Sequence, residues 1–141
     1  MIYRAARQED IPEVIDVVTR MVDGTMFKPP TPAKMAWVIK HWYNEGVWSH
    51  AGLIAFMVGM VSETFLNEER NAYEKALFVL PEHRGGSTAF RLVRNFEEWA
   101  RGRGAVKIWL GQSVGQNQDS TLRFFERLGY QRQGFITCKT L

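Results

Sequence analysis

Hydrophobic and polar positions in the first third of the chain predict a short strand followed by two helices. Ile2 to Ala5 alternates briefly, as a strand does, and apolar residues then recur at helical spacing from Ile11 to about Val22. Thr31 is a good helix cap and Pro32 suits the first helical position, so a second helix is expected from there to about Asn44.

Strand patterns follow in the middle of the chain. The segment from Val47 to Val61 is predicted to form two strands around the turn His50-Ala51-Gly52. Its second strand is apolar on both faces, which is typical of a central, buried strand. The polar segment from Ser62 to Asn71 is predicted to be a loop, and Tyr73 to Leu80 the next strand.

The second half of the chain alternates helices and strands. An amphipathic helix is expected from about Ser87 to Arg101, and a buried strand from Ala105 to Leu110. A loop over 111–116 leads to a helix from Asn117 to Leu128, and Tyr130 to Cys138 is predicted to close the chain as a strand. Strand–helix–strand order requires a parallel crossover, so the predicted class is an α/β layer fold.

Length and composition indicate one folded domain spanning 1–141. The chain has 141 residues, 45% hydrophobic and 13% aromatic, which excludes a mainly disordered state. The net charge of +3 leaves room for an anionic ligand. It argues only weakly for nucleic acid, because one helix interleaves its basic residues with acids. These residues are Arg91, Arg94, Glu97, Glu98, Arg101 and Arg103.

The number and spacing of cysteine and histidine residues limit the kinds of bond and metal site that the chain can form. Cys138 is the single cysteine, so no intramolecular disulfide can form and a reducing compartment fits best. No signal-peptide pattern begins the chain, and the longest apolar run is too short for a membrane span, so we expect a cytoplasmic protein with no membrane partner. The histidines lack the spacing of a metal site. They are His41, His50 and His83.

The most informative stretch runs from Leu77 to Ala89, where a strand turns into a helix. Gly85 and Gly86 allow a ligand to approach the backbone closely, and the first N–H groups of the helix attract anions. Arg84 adds a permanent positive charge. Two interpretations stay open at this point: a phosphate-binding turn, or an ordinary turn with Ser87 as the helix cap.

This stretch resembles motif A of the GNAT N-acetyltransferase superfamily, written V-x-P-E-x-R-G-x-G-x-G/A. Six motif positions are met, by Val79, Pro81, Glu82, Arg84, Gly85 and Ala89. Ser87 departs from the motif where a glycine is usual. The segment from Phe124 to Tyr130 is similar to the late helix and turn of the family. The resemblance implies the GNAT acyltransferase fold, a central twisted mixed sheet flanked by helices.

The same resemblance implies that acetyl-CoA is the acyl donor. Its pyrophosphate would lie on the N–H groups at the start of the helix, and its pantetheine arm would pair with the preceding strand like an added strand. The residues that the resemblance assigns to the cofactor are Leu77, Phe78, Val79, Arg84, Gly85, Gly86, Ser87, Thr88, Ala89, Asn117 and Ser120.

The implied reaction is direct acetyl transfer to a primary amine of a small molecule or a protein. A base or a water chain must deprotonate the amine, and Glu74 is the candidate base. The alternative for Glu74 is a solvated carboxylate paired with Lys75 or Arg70. Other acids are expected to form a solvated surface, namely Glu63, Glu68 and Glu69.

The resemblance does not supply a proton donor for the leaving thiolate. Phe125 stands where the family often has a tyrosine, so the usual acid is missing. Tyr130, Ser120, Thr121 or water could replace it, or no acid is needed. Phe125 and Ser87 also allow a second class of function, a non-catalytic acyl-CoA-binding or interaction module of the same fold.

Acceptor binding is expected from two loops, Asp23 to Pro32 and Ser62 to Asn71. The aromatic residues of the second predicted helix favour a core role, with an acceptor-binding wall as the other interpretation. They are Trp37, His41, Trp42 and Tyr43, where His41 shares the helix face. A homodimer through this apolar helix or through the last strand is a further expectation.

Overall fold

The computed structural model describes residues 1–112 and 117–141. The strands are β1 (Ile2–Arg4), β2 (Tyr43–Ser49), β3 (Gly52–Glu63), β4 (Arg70–Val79) and β5 (Lys107–Trp109). The helices are α1 (Ile11–Val22), α2 (Pro32–His41), α3 (Thr88–Gly102) and α4 (Gln118–Arg127). The predicted loop over 111–116 lies mostly outside the described residues.

The five described strands form one sheet in the order β1-β2-β3-β4-β5. Neighbouring strands are antiparallel except β4 and β5, which are parallel and are connected through α3. The predicted mixed sheet with a parallel crossover is therefore confirmed. In β3, the middle strand of the sheet, residues 53–59 are buried, as their uninterrupted apolar character predicts.

Helices cover both faces of the sheet. Alternate residues of β3 point to opposite sides: Met57 packs with α3, whereas Phe56 packs with α1 and α2. The α3 layer includes Leu92, Val93, Phe96 and Ala100, all fully buried. The other layer includes Val14, Val17 and Val38. The candidate site therefore rests on a sheet that is held rigidly from two sides.

A β-bulge interrupts β4 near its middle. Val58 of β3 faces Ala76, but the next residue, Gly59, faces Glu74, so Lys75 is an extra residue without a partner on β3. Gly59 has to be glycine here, because an added Cβ would overlap the ring of Phe96. The bulge turns Glu74 and Ala76 to opposite faces of the sheet, although two-residue spacing would normally place them on the same face.

The second helix is shorter than predicted. It begins as expected, with the Thr31 hydroxyl accepting a hydrogen bond from the backbone of Lys34 at 3.3 Å, but it ends at His41 and not near Asn44. Asn44 is buried in β2, where its amide donates to the carbonyls of Ile39 and Trp42 and accepts from the backbone of Ala6. These bonds cap the helix and join it to the sheet.

The C-terminal end differs most from the prediction. The expected buried strand over 105–110 is reduced to the three residues of β5, two of them exposed. The strand expected from Tyr130 to Cys138 is wrong, because no regular structure follows Gly129. Its polar start leaves no apolar face to bury, and Phe135 is 86% exposed. No helix of the described chain is long and apolar enough to cross a membrane.

Candidate active site

A cavity of about 790 Å³ opens where the parallel strands β4 and β5 separate. β5 pairs only with residues Asn71 to Tyr73 of β4. From Glu74 to Val79, the outer edge of β4 has no strand partner in the described part of the chain. This edge lines the cavity, and its free backbone groups can pair with an extended ligand as an added strand would.

The turn after β4 forms one end of the cavity. Gly85 has φ +88°, a conformation that favours glycine, and a Cβ at either Gly85 or Gly86 would meet open space. The Arg84 Nε donates to the carbonyl of Val79 at 2.9 Å, which holds the side chain back along the strand end. α3 begins at Thr88, so its first N–H groups lie beside these glycines. The arrangement suits an anion.

Nearly all of the sequence-predicted cofactor residues line this one cavity. They are Leu77, Phe78, Val79, Arg84, Gly85, Gly86, Thr88, Ala89, Asn117 and Ser120. Ser87 does not line it, and its side chain makes no capping bond to the helix. We call the β4 edge, the turn and the start of α4 the glycine side of the cavity.

Glu74 is partly buried in the cavity wall. Desolvation raises the pKa of its carboxyl group to about 7, although the Gly111 N–H and the Lys75 charge act in the opposite direction. No salt bridge joins Glu74 to Lys75 or Arg70 in the described part of the chain. The group therefore exchanges a proton near neutral pH, as a general base must.

The side chains of α4 complete the glycine side. Asn117 takes a left-handed conformation with φ 51°, and its carbonyl accepts a hydrogen bond from the Ser120 hydroxyl at 3.0 Å. The Thr121 hydroxyl accepts from the amide of Gln112 at 3.1 Å. Phe125 is buried and lines the cavity. Tyr130 points away, and its hydroxyl donates to Glu97 at 2.7 Å.

Comparison with protein families identifies the family of this chain. The model of the acetyltransferase (GNAT) family matches residues 18–130. The chain belongs to the GNAT acetyltransferase family. This confirms the predicted family and the predicted class of enzyme, an acyltransferase. No curated protein sequence matches the chain significantly.

Solved structures share this GNAT fold at low sequence identity. An acetyltransferase from Trypanosoma brucei is 16% identical, with a TM-score of 0.81 and 99% of each chain covered. An aminoglycoside acetyltransferase from an uncultured soil metagenomic sample, in complex with sisomicin, is 14% identical, with a TM-score of 0.79 and coverage of 99% and 95%. A ribosomal-protein-alanine N-acetyltransferase from Brucella melitensis is 12% identical, with a TM-score of 0.78 and full coverage of both chains.

The opposite end of the GNAT cavity is hydrophobic. We call it the apolar side, and it is formed by Val18, Met21, Phe27, Pro30 and Met35. The expectation that the loop from Asp23 to Pro32 shapes the site agrees with this geometry. The segment from Ser62 to Asn71 does not line the cavity, because it forms the far end of the β3–β4 hairpin, where Phe65 is 96% exposed.

Sequence reasoning missed several lining residues. Val18 and Met21 show only the helical spacing of core residues, and Met35 carries no motif. Arg127 and Lys28 also line the cavity, although neither was assigned a role of its own. The bulged Lys75 could not be recognised, because the alternation of a regular strand hides one extra residue.

The aromatic residues of α2 and its end take different positions. Tyr43 packs against Phe96 and Trp99, with ring centroids 5.2 and 4.7 Å away, which is a core position. Trp37 is 43% exposed and stacks beside His41 at 4.8 Å, outside the cavity lining. The interpretation of this group as an acceptor-binding wall is not supported by the described lining.

The basic residues of α3 are engaged within the chain. Arg94 forms an ion pair with buried Glu97 at 2.6 Å, and Arg91 lies over the ring of Tyr3 at 4.4 Å. Arg103 lies over the ring of Trp99. Glu97 offsets the charge of Arg94, whereas Arg91 and Arg103 keep their full charge beside an aromatic ring.

Proposed function

We propose that this chain transfers an acetyl group from acetyl-CoA directly to a primary amine. The observation that carries the proposal is one cavity that contains a free strand edge, a glycine turn at a helix N-terminus and a carboxylate with a pKa of about 7. The free edge suits the amides of the pantetheine arm, and the turn suits its pyrophosphate. The apolar side of the cavity leaves room for an acceptor.

Glu74 is the proposed general base. An ammonium group has no lone pair, so the acceptor must lose a proton before it attacks the thioester carbonyl. The amine nitrogen forms the new C–N bond, the C–S bond breaks, and the electron pair leaves with the sulfur. The proton passes to the Glu74 carboxylate directly or through one water molecule, and then to solvent or to the departing thiolate.

The glycine side is proposed to hold the donor in place for this step. Its N–H groups and Arg84 would neutralise the pyrophosphate, and Asn117 or Ser120 would contact the pantetheine arm. Phe125 cannot donate a proton to the thiolate, and Tyr130 is bonded to Glu97. Ser120, Thr121 or water therefore remains as the proton donor, if one is used.

Thermal melting tests donor binding. Because a ligand that binds only the native state stabilises it by mass action, acetyl-CoA at about 100 times its Kd should add about 2.7 kcal/mol to the free energy of unfolding. Acetate and ATP, each at the same concentration, serve as controls that separate specific binding of acetyl-CoA from a general effect of anions. The absence of a shift at millimolar acetyl-CoA contradicts the proposal.

A non-catalytic binding module is the second candidate function. It is favoured by Phe125, which leaves the cavity without a tyrosine at this position, and by Ser87, which lies outside the lining. The two candidates differ in thiol release. Tight acetyl-CoA binding with no release of free CoA against a broad amine panel would support the module and exclude the enzyme.

A further inference from the structure

Three hydroxyl side chains line the cavity among the described residues, and they differ in position. Thr88 lies at the start of α3 beside the glycines of the turn, whereas Ser120 and Thr121 lie near the start of α4. The free edge of β4 runs from Glu74 to Val79, and Thr88 follows its Val79 end. Of the three, a hydroxyl that acts near the Glu74 end therefore has to come from α4.

The segment after β5 connects the candidate base to one of these hydroxyls. Although desolvation raises the pKa of the Glu74 carboxyl group, the backbone N–H of Gly111 hydrogen-bonds to it and acts in the opposite direction. The next residue, Gln112, donates from its amide Nε2 to the Thr121 Oγ1 at 3.1 Å. All four residues line the cavity, so the carboxyl group and the Thr121 hydroxyl belong to one continuous wall.

The two hydroxyls of α4 use their protons differently. A hydroxyl group has one proton to donate and two lone pairs that accept. The Ser120 hydroxyl donates its proton to the carbonyl of Asn117 at 3.0 Å. The backbone N–H of Thr121 donates to the same carbonyl, also at 3.0 Å, so both lone pairs of that oxygen are used. The bond back to this carbonyl, which a helical threonine commonly forms, is therefore not open to the Thr121 side chain.

The proton of the Thr121 hydroxyl is available to a ligand. The oxygen accepts from the Gln112 amide and donates to no residue of the described chain. Because the amide occupies one side of the oxygen, the proton has to point away from it. Phe125 follows one turn later on the same face of α4 and lines the cavity without offering a polar acceptor. The hydroxyl is thus an oriented donor in the cavity wall.

From the bond between Gln112 and Thr121 and the occupied carbonyl of Asn117, we propose that Thr121 donates a hydrogen bond to the sulfur of the breaking thioester. Gln112 is then its positioning residue, and the inference rests on the proposed acetyl transfer. The C–S bond breaks, its electron pair stays on the sulfur, and the Thr121 O–H stabilises the negative charge that develops there. Thr121 keeps its proton, because a thiol is a stronger acid than an alcohol. The proton lost by the amine reaches the sulfur through Glu74 or solvent.

Titration of the thiol of bound CoA tests this hydrogen bond without any acetyl transfer. A donor at the sulfur favours the thiolate, so the thiol should ionise about one pH unit lower on the wild type than on Thr121→Val, which has nearly the same shape without the hydroxyl. The ultraviolet absorbance of the thiolate is the readout, with the desulfo-CoA complex of each variant as the blank. Thr121→Ser should restore the wild-type titration. Equal titrations of wild type and Thr121→Val overturn the inference.

Turnover should change in the same direction. Thr121→Val is expected to lower kcat about tenfold and to leave the Kd for acetyl-CoA within about twofold, because the bond strengthens only as charge develops on the sulfur. Thr19→Val is the matched control, since Thr19 lies on α1 and does not line the cavity. An equal loss of kcat in both variants, or a higher Kd with unchanged kcat, contradicts the assignment.

A double-mutant cycle tests the role of Gln112. Gln112→Met removes the amide and keeps the length of the side chain, so the hydroxyl of Thr121 remains but is no longer oriented. The thiol should then ionise at a pH between those of the wild type and Thr121→Val. In the Thr121→Val background, Gln112→Met should have no further effect on this titration. Additive effects of the two substitutions would remove the positioning role of Gln112.

The thiol titration also keeps the two proposals distinguishable. If amines are acetylated while the thiol ionises equally on wild type and Thr121→Val, the hydrogen bond fails and the acetyl transfer stands. If the thiol ionises at lower pH on the wild type but no amine of a broad panel is acetylated, the hydrogen bond stands and the acetyl transfer fails.

Discussion

The two ends of the cavity are built from different parts of the polypeptide. On the glycine side, backbone groups do most of the work: a free strand edge, a turn through Gly85 and the first N–H groups of α3. On the apolar side, side chains from α1, α2 and the loop between them form the surface. Glu74 lies on β4, the strand that both ends share.

Under the proposed function, this difference would let one fold keep its donor and change its acceptor. Backbone geometry depends on a few glycines and on a turn, so it tolerates most substitutions around it. A surface made of side chains changes with every substitution. The solved structures of this fold illustrate the point, because one is an aminoglycoside acetyltransferase and another a ribosomal-protein-alanine N-acetyltransferase.

Removal of the shared carboxylate should have the largest effect. Glu74→Gln is expected to lower kcat by about 100-fold to 10,000-fold, the usual contribution of a general base, while the Kd for acetyl-CoA stays within about twofold. The wild-type rate should rise with pH through about 7, since only the carboxylate form accepts a proton. Steady-state kinetics over pH 5 to 9 provides the measurement, with Glu63→Gln, at the end of β3, as control.

A structural role for Glu74 would show itself in stability. The native state keeps the proton up to a pKa of about 7, whereas the unfolded chain releases it near 4.5, so this group destabilises the fold progressively as the pH rises between these values. Glu74→Gln should therefore melt at the same or a higher temperature than the wild type at pH 8. A clearly lower melting temperature there would mean that the carboxylate supports the fold and is not primarily a base.

Strain in the glycine turn should have the next largest effect, and it should weaken only the binding of acetyl-CoA. Gly85→Ala forces an L-residue to φ near +88°, at a cost of about 1–2 kcal/mol, and should raise the Kd for acetyl-CoA about tenfold. Gly104→Ala imposes similar strain at φ +80° after α3, far from the turn. Calorimetric titration of both variants distinguishes a local effect from general destabilisation. Equal affinities of the two variants for acetyl-CoA would contradict a role of the glycine turn in donor binding.

Removal of the turn cation should be milder. Arg84→Ala deletes an exposed charge, and exposed charge pairs contribute about 1 kcal/mol or less, so the Kd for acetyl-CoA should rise about fivefold. The difference between variant and wild type should shrink at high salt. Arg103→Ala removes an equal charge at the other end of α3 and should leave the affinity unchanged. An equal loss in both variants would indicate a general charge effect.

Truncation on the apolar side should have the smallest effect, and only on the acceptor. Met35→Ala is expected to raise the acceptor KM about threefold, because one or two buried methylene equivalents are lost, with no change in the Kd for acetyl-CoA. Met26→Ala is the control, since Met26 is exposed in the same region and does not line the cavity. A change in donor affinity would show that the two ends are not separable.

More of the glycine side than of the apolar side could be predicted from the sequence. The turn from Arg84 to Ala89 could be predicted because a strand, two glycines and a helix start are consecutive in the chain. Glu74 could be proposed from its distance to that turn. Lys75 could not, because the bulge depends on the register between β3 and β4, which no local pattern records. The apolar side depends on how three separate elements pack.

The errors in the fold have physical reasons of the same kind. A strand was expected from Tyr130 to Cys138, yet a strand forms only if its neighbour offers an edge long enough to pair with it. β5 has three residues, and Val106 beside it is 66% exposed. The end of α2 depended on the buried amide of Asn44, a tertiary feature that helix propensity does not contain.

One ion pair connects the two walls of the cavity from outside. Arg20 of α1 donates to both carboxylate oxygens of Glu82, at 2.8 and 2.6 Å, and this holds the pKa of Glu82 at about 2. Exposed pairs add little stability, so its consequence is positional. It joins the turn after β4 to α1, the helix that carries Val18 and Met21. The glycine side and the apolar side, which otherwise come from different parts of the polypeptide, are therefore connected across the protein surface by a contact that lines neither of them.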